Sequence, residues 1–400
     1  MDPQIRVGVD VGCKTHQVAI AGPEGPILDE FAIPHAQEGF TEFFTCVEQR
    51  RCELDLPVAV AMEGLNGYGR PLDRMVQERG YQLYNVNNLK LARFREIFPG
   101  AAKTDRLDTR KILELLQLKD HLPLAKDVLQ EVPRVPLVNE KLKRLSRRRR
   151  QLVNEKVRVV NRMQSDLLAL CPELLAITGD ATNLWFLRFL SSQDHLRELR
   201  SMPRNEVLAI RGIGKKYAAV ITEWQRQAKF SPEADYVSPM IIADARRILE
   251  LLGEIATLDA AMEALTQEPE IGQRLATIPG FGKTSVAELA GEIGTVDRFA
   301  SEASLALYVG MCPLDRQSGQ FHGTKSPRQV NGRAKAAMMT AVARHMESVP
   351  QSRASYEKKR AEGKKHNQAV RALGRHLVRV MWSMLRQNRD YELREVSCPG

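Results

Sequence analysis

The sequence predicts a mixed α/β domain at the N-terminus, then a long basic helix, then a mainly helical C-terminal region. In the first 120 residues, apolar runs of strand type alternate with amphipathic segments and glycine-rich turns. Apolar residues then recur at near-heptad spacing from residue 141 to residue 165. Helical periodicity interrupted by glycine-lysine turns fills most of the remainder. We therefore predict three domains, residues 1–135, 136–205 and 206–400.

The predicted order of elements in the N-terminal domain is β-β-β-α-β-α-β-α. The first strand, IRVGVDVG, alternates apolar residues and ends in glycine, and two strand-like runs follow around a Gly-Pro turn. Helical segments then separate two short strands, PVAVAMEG and YQLYNVN, and are followed by the helical segments LKLARFREIF and DRLDTRKILELL. A hairpin-led sheet that feeds βα units indicates a mixed sheet in an α/β domain.

Four acidic residues occupy positions where such a sheet carries functional groups. Asp10 ends the first strand and Glu63 ends the strand that opens the βα half, and ligands of open α/β sheets bind beyond the carboxyl ends of strands. Asp105 and Asp108 are three residues apart at the predicted start of a helix, so they share one helix face. The alternative is plain capping, because Thr104 and Asp105 are good N-cap residues and a helix's first turn stabilises acids.

A shared site for these carboxylates requires a cation. Two carboxylates about 4 Å apart repel by about 4 kcal/mol at an effective dielectric constant near 20. Several in one place therefore stay protonated or move apart unless a metal ion holds them. Mg²⁺ suits oxygen ligands and keeps water molecules for a substrate phosphate, and two such ions can hold the attacking and leaving oxygens of a phosphodiester. The expected cofactor is Mg²⁺.

Residues 1 to about 120 resemble the RuvC-like, ribonuclease-H-type domain of the DEDD transposases. These are insertion-sequence recombinases that include pilin-gene invertases and bridge-RNA-guided recombinases. The matching segments are VGVDVGCKTHQVAI, AMEGLNGYG and AKTDRLDTRKI, and the last is the most specific because those enzymes carry a similar K-[TS]-D-x-x-D segment. The resemblance implies that Asp10, Glu63, Asp105 and Asp108 bind Mg²⁺ and are catalytic. GVDVGCKT also resembles the phosphate-contacting hairpin of actin-like ATPases and sugar kinases, but the sequence lacks their other nucleotide motifs.

The segment KLKRLSRRRRQLVNEKVRVVNRMQS, residues 141–165, carries ten Lys or Arg residues against one Glu. Leu142, Leu145, Leu152, Val159 and Met163 keep approximate a/d spacing, which predicts a long helix with one apolar seam. A solvated helix face is the alternative interpretation of the charge. Because the whole chain is basic, we expect this helix both to pair with another helix and to lie along phosphates.

Two segments, VLAIRGIGKKYAAVI and LATIPGFGKTSVAELAGEIG, share a helix-hairpin-helix pattern. Each has an apolar residue, then G-[IF]-G-K, then a helix of small residues. Glycines allow a close turn, and the amides at the start of the second helix can bind a phosphate with Lys215 or Lys283 adding charge. A plain helical hairpin with glycine caps is the alternative, and the repeated lysine favours a role at the DNA backbone.

Residues 278–346 resemble the second conserved domain of the same transposases, and residues 356–385 resemble its closing helices. The informative part is CPLDRQSGQFHGTKSPRQVNGRAK, a predicted loop of Gly, Ser and basic residues between helices. A serine hydroxyl needs activation, which cations and a metal ion beside a phosphate supply. In the family the serine of the SG pair is the nucleophile, so the resemblance implies that Ser318 attacks the DNA. Ser326 is the second candidate.

Composition limits the partners and the compartment. The net charge is +10 and the pI is about 9.3, which points to a polyanionic partner. No segment approaches the roughly 18 uninterrupted apolar residues of a membrane span, and the N-terminus lacks a signal-peptide pattern. The six cysteines show no zinc spacing and read as reduced thiols. We expect a soluble cytoplasmic protein that associates with the nucleoid.

These observations predict a DNA transposase or site-specific recombinase of an insertion sequence. The resemblance further implies target and donor DNA as substrates, a homotetramer, and a noncoding bridge RNA as guide. Because the acids and Ser318 are about 200 residues apart, we also expect a site shared between subunits, with the apolar seam of the basic helix as a means of joining them. The alternatives are a metal-dependent nuclease of junction-resolvase type and a non-catalytic DNA-binding scaffold. The predicted nucleic-acid contacts are Lys103, Arg106, Arg147, Arg148, Arg149, Arg150, Lys215, Lys283, Arg316, Lys325, Arg328, Arg333 and Lys335.

Overall fold

The computed structural model describes residues 3–64, 67–88, 91–92, 105–119, 129–319, 321–325, 327 and 330–393. The side chains of residues 105, 315–318, 321, 322 and 324 lie outside this description. The chain divides into two compact units, Met1–Arg134 and Val135–Gly400. The predicted connector, residues 136–205, lies within the second unit. Lys103, Ser326, Arg328 and most of the predicted helix LKLARFREIF fall outside the described residues.

A six-stranded mixed sheet forms the first unit. Its strands are β1 (Ile5–Val11), β2 (Thr15–Ala21), β3 (Ile27–Pro34), β4 (Val58–Glu63), β5 (Gln82–Val86) and β6 (Leu129–Glu131). The spatial order is β3-β2-β1-β4-β5-β6. β1 pairs antiparallel with β2 and parallel with β4, and β4 pairs parallel with β5. The predicted hairpin-led mixed sheet is confirmed, whereas β6, antiparallel to β5, was not predicted.

Helices cover both faces of this sheet. They are α1 (Gln37–Leu54), α2 (Arg70–Glu78) and α3 (Asp105–Leu118). Apolar residues on one face, including Val7 and Val60, pack with Phe43 of α1 and Val76 of α2. The other face is lined by small residues of β1, β2 and β4, and α3 packs on it. Small side chains let a helix approach closely, and this closeness positions the start of α3.

The second unit is built around two long helices. Its helices before the serine region are α4 (Leu137–Leu170), α5 (Pro172–Ala176), α6 (Leu184–Leu190), α7 (Leu196–Ser201), α8 (Arg204–Ala209), α9 (Lys215–Gln227), α10 (Ala234–Thr266), α11 (Glu270–Ala276), α12 (Lys283–Ile293) and α13 (Glu302–Tyr308). The helices after it are α14 (Gly332–Ser348), α15 (Pro350–Ala361) and α16 (His366–Gln387). α4 packs along α10 and also contacts α12.

The predicted long basic helix is confirmed as α4, and it pairs with another helix of the same chain. Leu152, Val159 and Met163 of its seam are buried in a core that includes Ile248 and Leu251 of α10. The seam is therefore filled within one subunit. Our expectation that it also offers a means of joining subunits is wrong for these residues, because their apolar surface is already covered.

The predicted loop around Ser318 contains a β-hairpin. β7 (Leu314–Ser318) pairs antiparallel with β8 (Phe321–Lys325), and the pair forms a separate two-stranded sheet between α13 and α14. The sequence did not predict this hairpin, because its residues are mostly polar. The two strands lack the alternation of apolar and polar residues that marks a half-buried strand. In the part of the chain that the structure describes, no helix is both long enough and apolar enough to cross a membrane.

Candidate functional site

Asp10 and Glu63 lie side by side at the carboxyl ends of two parallel strands. Asp10 of β1 is the register partner of Glu63 of β4, and neighbouring strands are about 4.8 Å apart. Paired residues on parallel strands project to the same face of a sheet. Both acids are half-buried, so their carboxylates share one partly enclosed region at the sheet edge.

Gly8 identifies the face on which Asp10 lies. A Cβ atom built on Gly8 would be only 2.8 Å from the carbonyl oxygen of Thr109, in the second turn of α3. Asp10 is two residues further along β1, so its side chain projects to the side that α3 covers. On β4, Ala59 and Ala61 pack in the same core as Ile112 of α3, and the alternation of the strand puts Glu63 in that row too.

α3 runs antiparallel to β1. Near its C-terminal end, the side chain of Gln117 is 2.8 Å from a Cβ built on Gly25, which lies in the turn between β2 and β3. That turn is at the end of the sheet where β1 begins, because β2 is antiparallel to β1. The first turn of α3 is therefore directed toward the opposite end of the sheet, where Asp10 and Glu63 lie.

Asp105 and Asp108 begin this helix. Asp108 is buried, with 5% of its surface exposed, and Asp105 is the first residue of α3, with its side chain outside the description. The helix start that carries these two acids is thus directed toward the sheet edge where Asp10 and Glu63 are paired. Among the described side chains, no three acid, histidine or cysteine residues are arranged to share a metal ion. The available donors are carboxylate oxygens, the ligand type that Mg²⁺ prefers.

Arg106 and Arg110, beside these acids, bind Glu30 of β3. Arg110 donates hydrogen bonds to the Glu30 carboxylate over 2.5 and 2.8 Å, and Arg106 donates one over 2.7 Å. The hydrogen bond from Arg110 lowers the pKa of Glu30 to about 2, although burial of the carboxyl opposes this. These arginines therefore hold α3 on β3. The Arg106 side chain is still 67% exposed, and its contact with nucleic acid stays a prediction.

The four consecutive arginines of α4 are all engaged by carboxylates. Arg147 pairs with Glu292, Arg148 with Glu254, Arg149 with Asp259 and Arg150 with Glu288. The side chains of Glu292 and Glu288 are only 1% and 5% exposed, so Arg147 and Arg150 neutralise buried acids. Arg148 is 59% exposed and lies 3.8 Å from its partner. Of these four, Arg148 is the side chain best placed to reach a phosphate.

Both glycine-lysine segments form a helix, a turn and a second helix. In the first, between α8 and α9, Gly212 has a φ of +99° and Gly214 precedes the second helix as its N-cap. In the second, between α11 and α12, Gly280 has a φ of +82° and Gly282 is the N-cap. A positive φ favours glycine, so the repeated glycines have the same role in each turn.

The two lysines of these segments differ in their surroundings. Lys215 is exposed at the first turn of α9. Lys283, at the first turn of α12, forms an ion pair with Glu263 of α10. Binding of a phosphate at either turn stays a prediction, and the charge of Lys283 is already partly balanced.

Ser318 lies at the turn of the β7–β8 hairpin. It is the last residue of β7, its register partner is Phe321, and Gly319 follows with a φ of +57°. The side chains of Ser318 and Arg316 are outside the description. Lys325 and Arg333 are exposed, and Lys335 packs its methylene groups close to Gly310, near the start of the same region.

Four residues close the base of this region, and the sequence singled out only Arg147 among them. Asn331 donates from its backbone nitrogen to the carbonyl of Tyr308 over 2.9 Å, and its side-chain amide donates to the Tyr308 hydroxyl and to the Glu292 carboxylate, each over 2.7 Å. The Tyr308 hydroxyl donates to the backbone carbonyl of Glu292 over 2.8 Å. Arg147 donates two hydrogen bonds to the same carboxylate over 2.7 and 2.8 Å. We call Arg147, Glu292, Tyr308 and Asn331 the loop clamp.

Two families of known proteins match this chain by their sequence models. Residues 7–172 match a transposase family of the DEDD, IS110 type, and residues 272–357 match the transposase IS116/IS110/IS902 family. The first match includes all four predicted acids, and the second includes the glycine-lysine turn at α12 and the Ser318 hairpin. Neither match includes residues 173–271, which hold the first glycine-lysine turn.

Insertion-element proteins are similar over nearly the full length. An uncharacterized 43.6 kDa protein of insertion element IS110 from Streptomyces coelicolor is 24% identical over 98% of this chain and 96% of that protein. An uncharacterized 42 kDa protein of IS900 from Mycobacterium paratuberculosis is 25% identical over 98% of each. A pilin gene-inverting protein of Moraxella bovis is 32% identical over 32% of this chain and 41% of its own length.

Proposed function

Because the chain belongs to the transposase family of the IS110-type insertion elements, we propose that it cuts and rejoins DNA with a carboxylate site and a serine nucleophile. The observation that carries this proposal is the register pairing of Asp10 with Glu63, on the face that α3 covers. Ionised acids at adjacent strand ends repel one another, and a bound cation offsets this repulsion. Such pairing is costly in an ordinary core and suits a metal-dependent site.

Asp10, Glu63, Asp105 and Asp108 are the residues that would hold Mg²⁺. When bound, Mg²⁺ supplies positive charge that stabilises a phosphodiester as negative charge develops on its oxygens. The buried position of Asp108 and the half-buried positions of Asp10 and Glu63 reduce competition from bulk water. The bonds from Arg106 and Arg110 to Glu30 keep the first turns of α3 in place over the sheet.

In the proposed reaction, Ser318 Oγ forms a bond to a DNA phosphorus while the bond from that phosphorus to the 3′ oxygen breaks. The serine proton passes to solvent, and the departing 3′ oxygen takes up a proton to become a free 3′-hydroxyl. The product is a phosphoserine link to the 5′-phosphate end of the broken strand. Because this link keeps the energy of the phosphodiester, attack by another 3′-hydroxyl rejoins the strands without ATP.

DNA is the partner that the family implies, and the exposed cations of the second unit are the proposed contacts with its phosphates. They are Arg148, Lys215, Lys325 and Arg333. We also propose a ribonuclease-H-like fold for the first unit, supported by its sheet order and by the position of the acids at the strand ends. A noncoding guide RNA and a tetramer complete the proposal, and both follow from the resemblance alone.

Nicked and four-way-junction DNA, incubated with the full-length protein and Mg²⁺, tests the proposal. We expect a covalent protein–DNA adduct that is lost in Ser318→Ala and Asp10→Asn but kept in Ser355→Ala, which alters an exposed serine of α15. Cleavage that survives Ser318→Ala would instead indicate a nuclease that uses water. Salt-sensitive binding without cleavage in any metal would indicate a scaffold. Sequencing of the nucleic acid that co-purifies with the protein tests for the guide RNA.

A further inference from the structure

We propose that the loop clamp residues Arg147, Glu292, Tyr308 and Asn331 are positioning residues that hold the Ser318 hairpin in a fixed place on α4. This inference rests on the proposed function, because it assigns the clamp to the serine step. In this role none of the four side chains contacts the reacting atoms. They act by setting the position of the hairpin that carries Ser318.

The clamp first closes the hairpin segment on itself. The segment leaves α13 after Tyr308 and returns to α14 at Asn331, and these two residues are joined by one backbone and one side-chain hydrogen bond. The Asn331 side-chain oxygen also caps α14, accepting from the backbone nitrogens of Arg333 and Ala334 over 3.0 and 3.1 Å. One side chain therefore fixes both the closure of the segment and the start of the next helix.

The clamp then ties this closed segment to the long helix. One carboxylate oxygen of Glu292 accepts a hydrogen bond from the Asn331 amide. The two oxygens also accept one hydrogen bond each from the guanidinium of Arg147 in α4. A two-bond contact of this kind fixes orientation as well as distance. The backbones are also close here, since a Cβ on Gly291 would be 2.5 Å from the backbone nitrogen of Lys143. α4 and α12 thus form a rigid base.

The chemistry of Glu292 favours a positioning role over a contribution to stability alone. Its side chain is 1% exposed; burial by itself raises the pKa of Glu292, and the hydrogen bonds from Arg147 and Asn331 outweigh burial and leave this pKa lowered. Apolar packing of similar volume usually stabilises a core as well as a buried ion pair does. What the ion pair adds is a defined geometry, and this geometry is applied at the base of the hairpin that carries Ser318.

Small displacements matter for a nucleophile in a hairpin turn. The reacting atoms must be about 3–3.5 Å apart and aligned, and a shift of about 1 Å can cost about 100-fold in rate. Gly319, which follows Ser318, has no close neighbour to correct such a shift, since a Cβ on it would meet no atom within 4 Å among the described residues. Positioning must therefore come from the base of the hairpin.

Three substitutions test the clamp with little change of volume. Asn331→Asp keeps the oxygen that caps α14 but replaces the amide donor with a second carboxylate facing Glu292. Tyr308→Phe removes only the hydroxyl. Arg147→Lys keeps the charge and removes the two-pronged contact, with Arg158→Lys, at an exposed arginine of the same helix, as the control. Each variant is compared with the wild-type full-length protein for melting temperature, DNA affinity, adduct formation at saturating DNA, and hydrogen exchange in residues 309–325.

We expect Asn331→Asp, Tyr308→Phe and Arg147→Lys to form the adduct about 10- to 100-fold more slowly. DNA affinity should stay unchanged, exchange in the hairpin should be faster, and Arg158→Lys should behave like wild type. If the Asn331 and Tyr308 variants formed the adduct at the wild-type rate while Ser318→Ala formed none, the positioning role would be overturned. The assignment of Ser318 as nucleophile would stand. An adduct that persists in Ser318→Ala would overturn the nucleophile assignment first, and the positioning role with it.

Discussion

Asp10 and Glu63 are register partners on β1 and β4, so two carboxylates lie next to each other on one face of the sheet. The strands that carry them are buried and apolar, with Val9 and Met62 pointing into the opposite core. The parallel pairing of β1 with β4 creates this contact, which joins residues more than fifty positions apart in the chain.

Mg²⁺ should stabilise the first unit through these acids. A ligand present at about 100 times its dissociation constant adds about 2.7 kcal/mol to the free energy of unfolding. We expect hydrogen exchange of β1 and β4 amides to slow on addition of Mg²⁺ in the wild-type protein and not in Asp10→Asn or Glu63→Gln. Asp55→Asn is the matched control, because Asp55 is exposed and asparagine tolerates its left-handed backbone. If Mg²⁺ slowed exchange equally in the wild type and all three variants, Mg²⁺ would not bind at Asp10 and Glu63.

His16 should make the first unit sensitive to acid. It is fully buried under Phe40, and burial, followed by the charge of His35, lowers its pKa from 6.5 to about 4. Between these values the unfolded chain binds a proton that the folded chain does not. Stability is therefore fully present above about pH 6.5 and declines as the pH falls to about 4, by about 3 kcal/mol in total.

Hydrogen exchange of β1 and β2, measured from pH 7 to pH 4, checks this decline. Tryptophan fluorescence does not report on the first unit, because Trp185, Trp224 and Trp382 all lie in the second. His16→Phe should flatten the pH dependence, whereas His376→Gln, at an exposed histidine of α16, should leave it unchanged. A His16→Phe protein with the wild-type slope would show that another group titrates.

Two helical glycines of the second unit should respond in opposite ways to alanine. A Cβ on Gly291 would be 2.5 Å from a backbone nitrogen of α4, so Gly291→Ala must separate α12 from α4 and should cost about 3 kcal/mol or more. Gly253 in α10 has open space around it, and Gly253→Ala should add up to about 1 kcal/mol through helix propensity. Urea unfolding followed by tryptophan fluorescence measures both. Similar midpoints for the two variants would contradict the close packing of α12 on α4.

Lys215 and Lys283 should contribute unequally to DNA binding. Replacing an exposed lysine that contacts a phosphate of duplex DNA reduces the slope of log K against log salt by about 0.9. We expect this change for Lys215→Gln and a smaller one for Lys283→Gln, because Glu263 already pairs with Lys283. Fluorescence anisotropy with a duplex over a range of salt concentrations checks both slopes. An equal or larger change at Lys283 would indicate that DNA displaces Glu263.

The strands and helices of the first unit could be predicted from the sequence, because alternation and helical periodicity are local signals. The pairing of Asp10 with Glu63 could be predicted as well, since the carboxyl ends of parallel strands meet. β6 was missed because a three-residue strand has no pattern of its own. Its pairing with β5 depends on a contact far along the chain.

The loop clamp could not be predicted, because its bonds join residues that are distant in sequence. Glu288 and Glu292 are spaced like the solvated face of a helix, yet both are buried. One available signal was the run of four arginines in α4, because arginines that face a packed neighbouring helix need carboxylates on that helix to balance their charge. Asn331 before Gly332 also indicated a helix start, but nothing local showed that its amide would reach α12.

The most direct test identifies the residue that becomes linked to DNA. Protein from cells that carry its gene with the native flanking DNA is denatured rapidly, digested with nuclease and trypsin, and analysed by mass spectrometry. We expect a nucleotide phosphate on Ser318, within the tryptic peptide of residues 317–325, and we expect its loss in Asp10→Asn. The proposed serine step is contradicted by a nucleotide on the peptide that begins at Ser326, by none on any peptide, or by an adduct that Asp10→Asn leaves unchanged.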